Sequence, residues 1–205
     1  MEQVVNGTRL AAASVHPWTD ATLSQADWRF SIPVPVQSEI AAVVTALRYQ
    51  PRPVGALDPD AFALVATLRL MASVKGALDT GAGFAVLDRF PVDKYSKDEL
   101  KAIYWLLSRM LGPIVPQGPD GTLMHDVRDT GPKMSERVRG DLTNHELNWH
   151  TDNGFSTPPK YFGLAVLRTA KQGGESKAVN LIAAHDTLRD RAPALLDRLY
   201  EPFIW

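Results

Sequence analysis

The sequence predicts a single α+β domain, because helical patterns dominate its first half and short strand-like runs its second. Segments with apolar residues at helical spacing lie before residue 112. From residue 113 the chain is rich in Gly and Pro and carries short apolar runs of strand length. A chain of 205 residues has the length of one ordinary domain. We therefore expect an arm at 1–35, a mainly helical part at 36–112 and a strand-rich part at 113–205.

The charge, the cysteine count and the apolar runs of the sequence argue against several classes of protein. A net charge of −1 argues against a basic nucleic-acid footprint and against a polybasic membrane patch. The chain has no cysteine, which excludes disulfides, thiolate nucleophiles and cysteine-ligated zinc. The N-terminus lacks a charged stretch followed by an apolar core, and no run reaches the ~18 apolar residues of a membrane span. We expect a cytoplasmic protein with no nucleic-acid or membrane partner.

Two helices are predicted first. Ser38 has the side chain of an N-cap for a helix at 39–47. A second helix is expected from Asp58, as cap, through the segment 59–78. An apolar stripe on this helix is interpreted as core, and it comprises Leu64, Leu68, Met71 and Leu78.

Three further helices follow from local signals. Ser96 and Glu99 have the spacing of a capping box, which predicts a helix over 97–111. Later in the chain we expect a helical segment at 184–191 and another that begins at Pro193. Short apolar runs predict strands at 83–90, 114–116, 122–128, 163–168 and 178–182.

The stretch 148–176 contains a His-x-Asp pair, His150 and Asp152. In an extended strand alternate side chains share a face, so these two side chains point the same way. An imidazole and a carboxylate make two-thirds of a facial metal site, which needs one more ligand. The pair alone is a weak signal, because a chain with five His and 23 acidic residues forms one readily by chance.

Other interpretations of this pair stay open. A zinc hydrolase site would use His145, His150 and Asp152. His145 lies five residues before His150, so the two would face opposite ways in a regular strand unless a bulge intervened. A binding module without catalysis, or a structural domain without a site, is also consistent with the pair.

Several motifs in order make the stretch more specific, namely WHTD at 149–152, Phe155, Pro158-Pro159, GLAVLR at 163–168 and Gly173-Gly174-Glu175-Ser176. Together they resemble the TauD/TfdA family of Fe(II)- and 2-oxoglutarate-dependent dioxygenases. Weaker likeness extends over most of the chain beyond about residue 80. The resemblance implies a double-stranded β-helix, or jelly roll, with flanking helices, of which 113–205 form the first part.

The resemblance also implies a reaction and a ligand set. His150 and Asp152 would bind Fe(II), and the Ser176 hydroxyl would contact the distal carboxylate of 2-oxoglutarate. Consumption of O2 and 2-oxoglutarate would then hydroxylate or desaturate an unactivated C–H bond of a small molecule, with release of CO2 and succinate. Because Asp152 is present, hydroxylation is favoured over halogenation.

Substrate contacts are expected from loops around the metal, with Gln117, Arg139 and Asn144 as candidates. The family's second histidine ligand has no counterpart after Asp152, because His185 lies in a predicted helix. Its oxoglutarate-binding arginine has none either, because the candidates lie in the same helical region, namely Arg189, Arg191 and Arg198. We therefore expect the jelly roll to be incomplete and this chain to be weakly active or inactive by itself. The alternatives are a truncated inactive homologue and a non-catalytic jelly-roll module, and a homo-oligomer is possible.

Overall fold

Three helices form a layer that holds the core. The structure, a computed structural model, describes residues 4–5, 8–9, 15–117, 120–131, 143, 146–151 and 158–203. Helices α1 (Val34–Tyr49), α2 (Val65–Thr80) and α3 (Lys97–Leu111) pack against one another, and we call them the helical layer. Buried side chains, mostly from α1 and α3, form two apolar clusters, one around Ile40 and Ile103 and one around Val43 and Leu106.

Helix α1 confirms the predicted helix at 39–47 but begins earlier. It starts at Val34, directly after Pro33, and a second proline lies in its first turn. Proline favours this position because its fixed φ suits a helix and its missing N–H has no partner there. The predicted cap at Ser38 is wrong, since its hydroxyl lies inside the helix and donates to the Val34 carbonyl at 3.1 Å.

The second helix begins later than predicted. Asp58 is an N-cap as predicted, because its Oδ1 accepts from the Asp60 N–H at 3.1 Å. The element that it caps is only a short 3₁₀ helix, Pro59–Ala61. Helix α2 starts at Val65. The predicted stripe was partly wrong, because Leu68 is exposed. The buried positions on α2 are Thr67, Met71, Val74 and Ala77.

A side chain from another helix caps α2. The Glu39 carboxylate accepts hydrogen bonds from the Ala66 and Thr67 N–H groups, both at 2.8 Å, and from the Thr67 hydroxyl at 2.7 Å. These donors would otherwise be unsatisfied at a helix N-terminus. Partial burial acts to raise the pKa of Glu39, but the bonds from Ala66 and Thr67 lower that pKa below its ordinary value. The start of α2 therefore depends on α1.

Helix α3 confirms its predicted bounds and its capping box. The Ser96 hydroxyl accepts from the Glu99 N–H at 3.3 Å, and the Glu99 carboxylate accepts from the Ser96 N–H at 2.8 Å. Glu99 also binds Arg48 of α1 at 2.6 Å. The Arg48 guanidinium, followed by the Ser96 N–H, lowers the pKa of Glu99 to about 2. One residue thus starts α3 and ties it to α1.

Two small sheets accompany the helices. Strand β1 (Val4–Val5) pairs antiparallel with β2 (Thr8–Arg9). Strand β3 (Arg29–Ser31) pairs in parallel with β4 (Val86–Asp88), which confirms a shorter version of the strand predicted at 83–90. The N-terminal arm therefore contributes a strand beside the helical layer.

Aromatic packing fastens the arm. The rings of Trp18 and Trp28 lie 5.4 and 5.3 Å from that of Phe84, measured between centroids. The Trp18 indole N–H also donates to the Ala82 carbonyl at 2.6 Å. These contacts hold the arm against the chain that leads into β4.

The described part of residues 113–203 contains no strand, so the jelly roll is not confirmed there. The predicted strands at 114–116, 122–128 and 163–168 are wrong because no neighbouring chain in that part pairs with them. The strand predicted at 178–182 is wrong because Asn180 caps a helix at that point. Its side-chain oxygen accepts from the Ala183 N–H at 2.9 Å.

The last two predicted helices are present. Helix α4 spans Leu181–Arg191 and begins three residues before the predicted start at 184, and α5 spans Pro193–Leu199 with proline in its first turn. Among the residues that the structure describes, no helix is long and apolar enough to cross a membrane.

Candidate metal site and the segment that follows it

His150 is exposed, and its ring is oriented by a backbone carbonyl. Its Nδ1 lies 2.6 Å from the Asn148 carbonyl oxygen. A carbonyl can only accept, so Nδ1 donates in this contact, and Nε2 is the ring nitrogen that would bind a metal. Metal-binding histidines usually take this form, with the second nitrogen donating to a carbonyl or carboxylate. The local geometry of His150 therefore fits a metal ligand.

Several predicted site residues lie outside the described residues. These are Asp152, Arg139, Asn144 and His145, and the motif residue Phe155 lies outside them too. Within the described ranges, no group of three His, Asp or Glu side chains is placed to hold a metal ion. The pairing of His150 with Asp152 therefore stays a prediction.

The Gly-Gly turn before Ser176 has the backbone geometry that requires glycine. Gly173 and Gly174 have φ values of 66° and 76°, in the left-handed region that other residues rarely adopt. A Cβ on Gly174 would also lie 3.0 Å from the Ala170 side chain. Ser176 follows this turn and is exposed. The turn therefore determines where the Ser176 hydroxyl is presented.

One contact brings the two ends of the stretch 148–176 near each other. The Lys177 ammonium lies 3.9 Å from the carboxylate of Glu146. Lys177 follows Ser176, and Glu146 lies four residues before His150. Both side chains are exposed, so the pair adds little stability. It shows that the polypeptide next to Ser176 approaches the polypeptide next to His150.

The chain that begins with the Pro-Pro pair crosses the helical layer, and we call residues 158–168 the crossing segment. Gly163 passes so close to α3 that an added Cβ would lie 2.8 Å from the Tyr104 hydroxyl. Leu167 packs against the cluster around Ile40. Three apolar side chains of the segment, Phe162, Leu164 and Val166, are 56%, 66% and 66% exposed. The segment therefore contacts the layer at separate points and not along one continuous buried face.

Asp79 of α2 fastens the start of this segment. Its Oδ2 accepts from Lys75 at 2.6 Å, and its Oδ1 accepts from Lys160 at 2.8 Å and from the Tyr161 hydroxyl at 2.5 Å. Lys160, then Lys75 and Tyr161, hold the pKa of Asp79 well below its usual range. Hydrogen bonding to Asp79 in turn raises the pKa of both lysines. We call these four residues the Asp79 cluster.

Sequence reasoning did not find the Asp79 cluster. The i,i+4 spacing of Lys75 and Asp79 on a helix is visible in the sequence, and it predicts an ion pair between them. Nothing local indicates that Lys160 and Tyr161 join that pair from more than 80 residues away.

Gln117, a predicted substrate contact, is exposed and makes local hydrogen bonds. Its side-chain amide donates to the Val115 carbonyl at 3.1 Å, and its N–H donates to the Thr122 carbonyl at 2.6 Å. In the described part of the chain no hydrogen bond or ion pair joins Gln117 or Ser176 directly to His150. Their roles therefore stay predictions.

The loop beyond Gln117 is tied to α3. Asp126 binds Lys97 at 2.7 Å and Lys101 at 2.8 Å. These contacts, with Lys101 first, lower the pKa of Asp126 to about 2. The predicted substrate loop thus has one fixed point on the helical layer.

His185 lies on α4, as predicted, and its ring links the last two helices. Its Nε2 lies 2.8 Å from the Tyr200 hydroxyl, and its Nδ1 lies 3.3 Å from the Asp186 carboxylate. Both ring nitrogens are therefore occupied by contacts within the C-terminal helices.

The chain belongs to a dioxygenase family. Residues 49–205 match the model of the family described as "Taurine catabolism dioxygenase TauD, TfdA family". This match confirms the resemblance carried by the WHTD, Pro-Pro and Gly-Gly-Glu-Ser motifs.

A curated relative is the FR-33289 synthase of Streptomyces rubellomurinus (strain ATCC 31215). The two sequences are 28% identical over 186 residues, which cover 89% of this chain and 53% of the relative. The chain thus spans about half the length of that relative.

Proposed function

We propose that the protein acts as an Fe(II)- and 2-oxoglutarate-dependent dioxygenase that hydroxylates or desaturates an unactivated C–H bond of a small molecule, releasing CO2 and succinate. The observation that carries the proposal is the His150 ring, which lies in the WHTD motif of a dioxygenase family with its Nδ1–H held by the Asn148 carbonyl. That hydrogen bond selects the tautomer a metal requires and raises the basicity of the ligating nitrogen.

His150 and Asp152 would hold the iron, in the His-x-Asp part of a 2-His-1-carboxylate arrangement. When bound, iron supplies open positions for O2 and for the keto acid end of 2-oxoglutarate. Ser176 would donate its hydroxyl to the distal carboxylate of 2-oxoglutarate, presented by the Gly173-Gly174 turn. Because the alignment covers 53% of FR-33289 synthase, we leave the third protein ligand and the oxoglutarate-binding arginine unassigned.

Gln117, Arg139 and Asn144 are proposed to contact the substrate. Their side chains supply amide donors and acceptors and one guanidinium, which suits a polar or anionic small molecule. The proposal includes a cytoplasmic location, a possible homo-oligomer, and no nucleic-acid or membrane partner.

The test is an anaerobic titration of Fe(II) into the protein with 2-oxoglutarate, followed through the visible charge-transfer band of the chelate. We expect His150→Ala to abolish the band and His185→Ala to keep it, because the His185 ring bridges α4 and α5. If wild type and His150→Ala give the same band, the proposal fails. Absence of any metal binding by wild type would favour a non-catalytic module instead.

A further inference from the structure

We propose that Asp79 is a positioning residue, which holds the crossing segment on α2 and so sets the placement of the metal-binding motif that precedes it. The link to metal binding rests on the proposed function. The attachment of the crossing segment to α2 does not, and it is tested separately.

Both oxygens of the Asp79 carboxylate are used. Oδ2 takes the Lys75 ammonium of the same helix, while Oδ1 takes two donors from the crossing segment, Lys160 and Tyr161. A charged acceptor for three donors makes stronger bonds than a neutral one. Asparagine has the same shape but would turn an N–H group towards one of these donors.

The Tyr161 phenol connects the members of the cluster. Its hydroxyl donates to Asp79 and accepts from Lys75 at 2.7 Å. The ammonium groups of Lys75 and Lys160 also lie 5.2 and 5.0 Å from the centre of its ring, within cation–π range. The position of Tyr161 is therefore determined by its hydroxyl and its ring together.

The cluster lies where the chain enters the crossing segment. Pro158 and Pro159 directly precede Lys160, and proline restricts its own φ and the conformation of the residue before it. Farther along, Gly163 and Leu167 keep the segment against the layer. A stiff dipeptide joined to a charged anchor limits the directions in which the chain can approach Lys160.

The first measurement is hydrogen–deuterium exchange of the crossing segment in the full chain without metal. We expect Asp79→Asn to speed exchange at 160–168 by about tenfold, because local opening becomes easier. Asp79→Glu should restore part of the protection. Tyr161→Phe, which removes one hydroxyl, should act in the same direction with a smaller effect and guards against a folding defect in the Asp79 variants.

Asp88→Asn is the matched control. Asp88 also forms an ion pair, with Arg29 at 2.7 Å, and its side chain is 29% exposed against 26% for Asp79. It joins β3 to β4, and within the described chain its hydrogen bonds and ion pairs involve no residue of the crossing segment. Its replacement should leave exchange at 160–168 unchanged.

The second measurement is Fe(II) affinity in the presence of 2-oxoglutarate, read from the chelate band. Asp79→Asn should weaken it by about threefold to tenfold, or roughly 1 kcal/mol, while Asp88→Asn leaves it unchanged. Wild-type exchange rates in Asp79→Asn overturn the proposal. Faster exchange with unaltered iron affinity overturns the positioning role. If wild type forms no chelate, the proposed function and the positioning role both fail, and exchange still decides the attachment.

Discussion

The helical layer and the chain beyond residue 113 obtain their order in different ways. Every buried apolar residue of the described chain except Leu196 lies between Ile32 and Leu106. Most of the exposed large apolar side chains lie beyond residue 113. Helices satisfy their backbone groups internally, whereas an extended segment needs a neighbouring strand. The layer is therefore held by its own core, and the crossing segment is held at a few points such as the Asp79 cluster.

The largest predicted effect contrasts one apolar side chain from each region. Ile40→Ala removes a side chain that is 4% exposed and should lower the free energy of unfolding by about 3 kcal/mol. Leu164→Ala removes an exposed side chain and should change that free energy by less than about 0.5 kcal/mol. Urea unfolding of both variants measures the difference. Equal losses of unfolding free energy in the two variants would show that Leu164 is buried in solution. The helical layer and the crossing segment would then not differ in this respect.

The next effect concerns the cap of α2. Glu39→Ala removes the acceptor for Ala66 and Thr67, and we expect a loss of about 1–2 kcal/mol in unfolding free energy. Ser38→Ala, one residue earlier, should cost less than about 0.5 kcal/mol because Ser38 caps nothing. Thermal unfolding of the pair is the measurement. A larger loss for the serine variant would contradict the cap assigned here.

An effect of similar size is expected at the Gly-Gly turn. Gly174→Ala places a Cβ at φ 76°, which costs about 1–2 kcal/mol in the left-handed region. If Ser176 binds 2-oxoglutarate, affinity for it should fall by about tenfold through displacement of the turn. Gly112→Ala is the control, because Gly112 has an extended φ of 167° and open space around it. Titration of 2-oxoglutarate into the iron-loaded protein distinguishes the two, and equal affinities would exclude the turn from the site.

The smallest effect is a pH dependence of the loop tied to α3. The pKa of Asp126 is lowered to about 2. The stability that its ion pairs with Lys97 and Lys101 give to the loop is therefore fully present above the ordinary carboxyl pKa of about 4. That contribution disappears as the pH falls towards 2 and Asp126 becomes protonated. The protection of the amides at 120–131, measured as the exchange rate relative to the intrinsic rate at each pH, should therefore fall on acidification in wild type. In Asp126→Asn this protection should already be low at neutral pH, and identical profiles for the two proteins would contradict the contact between this loop and α3.

Prediction from sequence succeeded where the signal is local. The capping box at Ser96 and Glu99 predicted the start of α3, and Pro193 predicted the start of α5. The motifs around His150 predicted the family that residues 49–205 match. Prediction from sequence failed at 163–168, where an apolar run of strand length has no strand beside it in the described chain.

The sequence by itself determined the features that a few adjacent residues can establish. These are the capping box of α3, the proline at the start of α5, the glycine turn before Ser176, and the family motifs. Only the tertiary structure decided that the Glu39 carboxylate caps the start of α2 and that Asp79 holds the crossing segment. The reason is physical, because each of these contacts joins residues far apart in the chain. Their partners are brought together by the packing of whole helices, which no short window of sequence encodes.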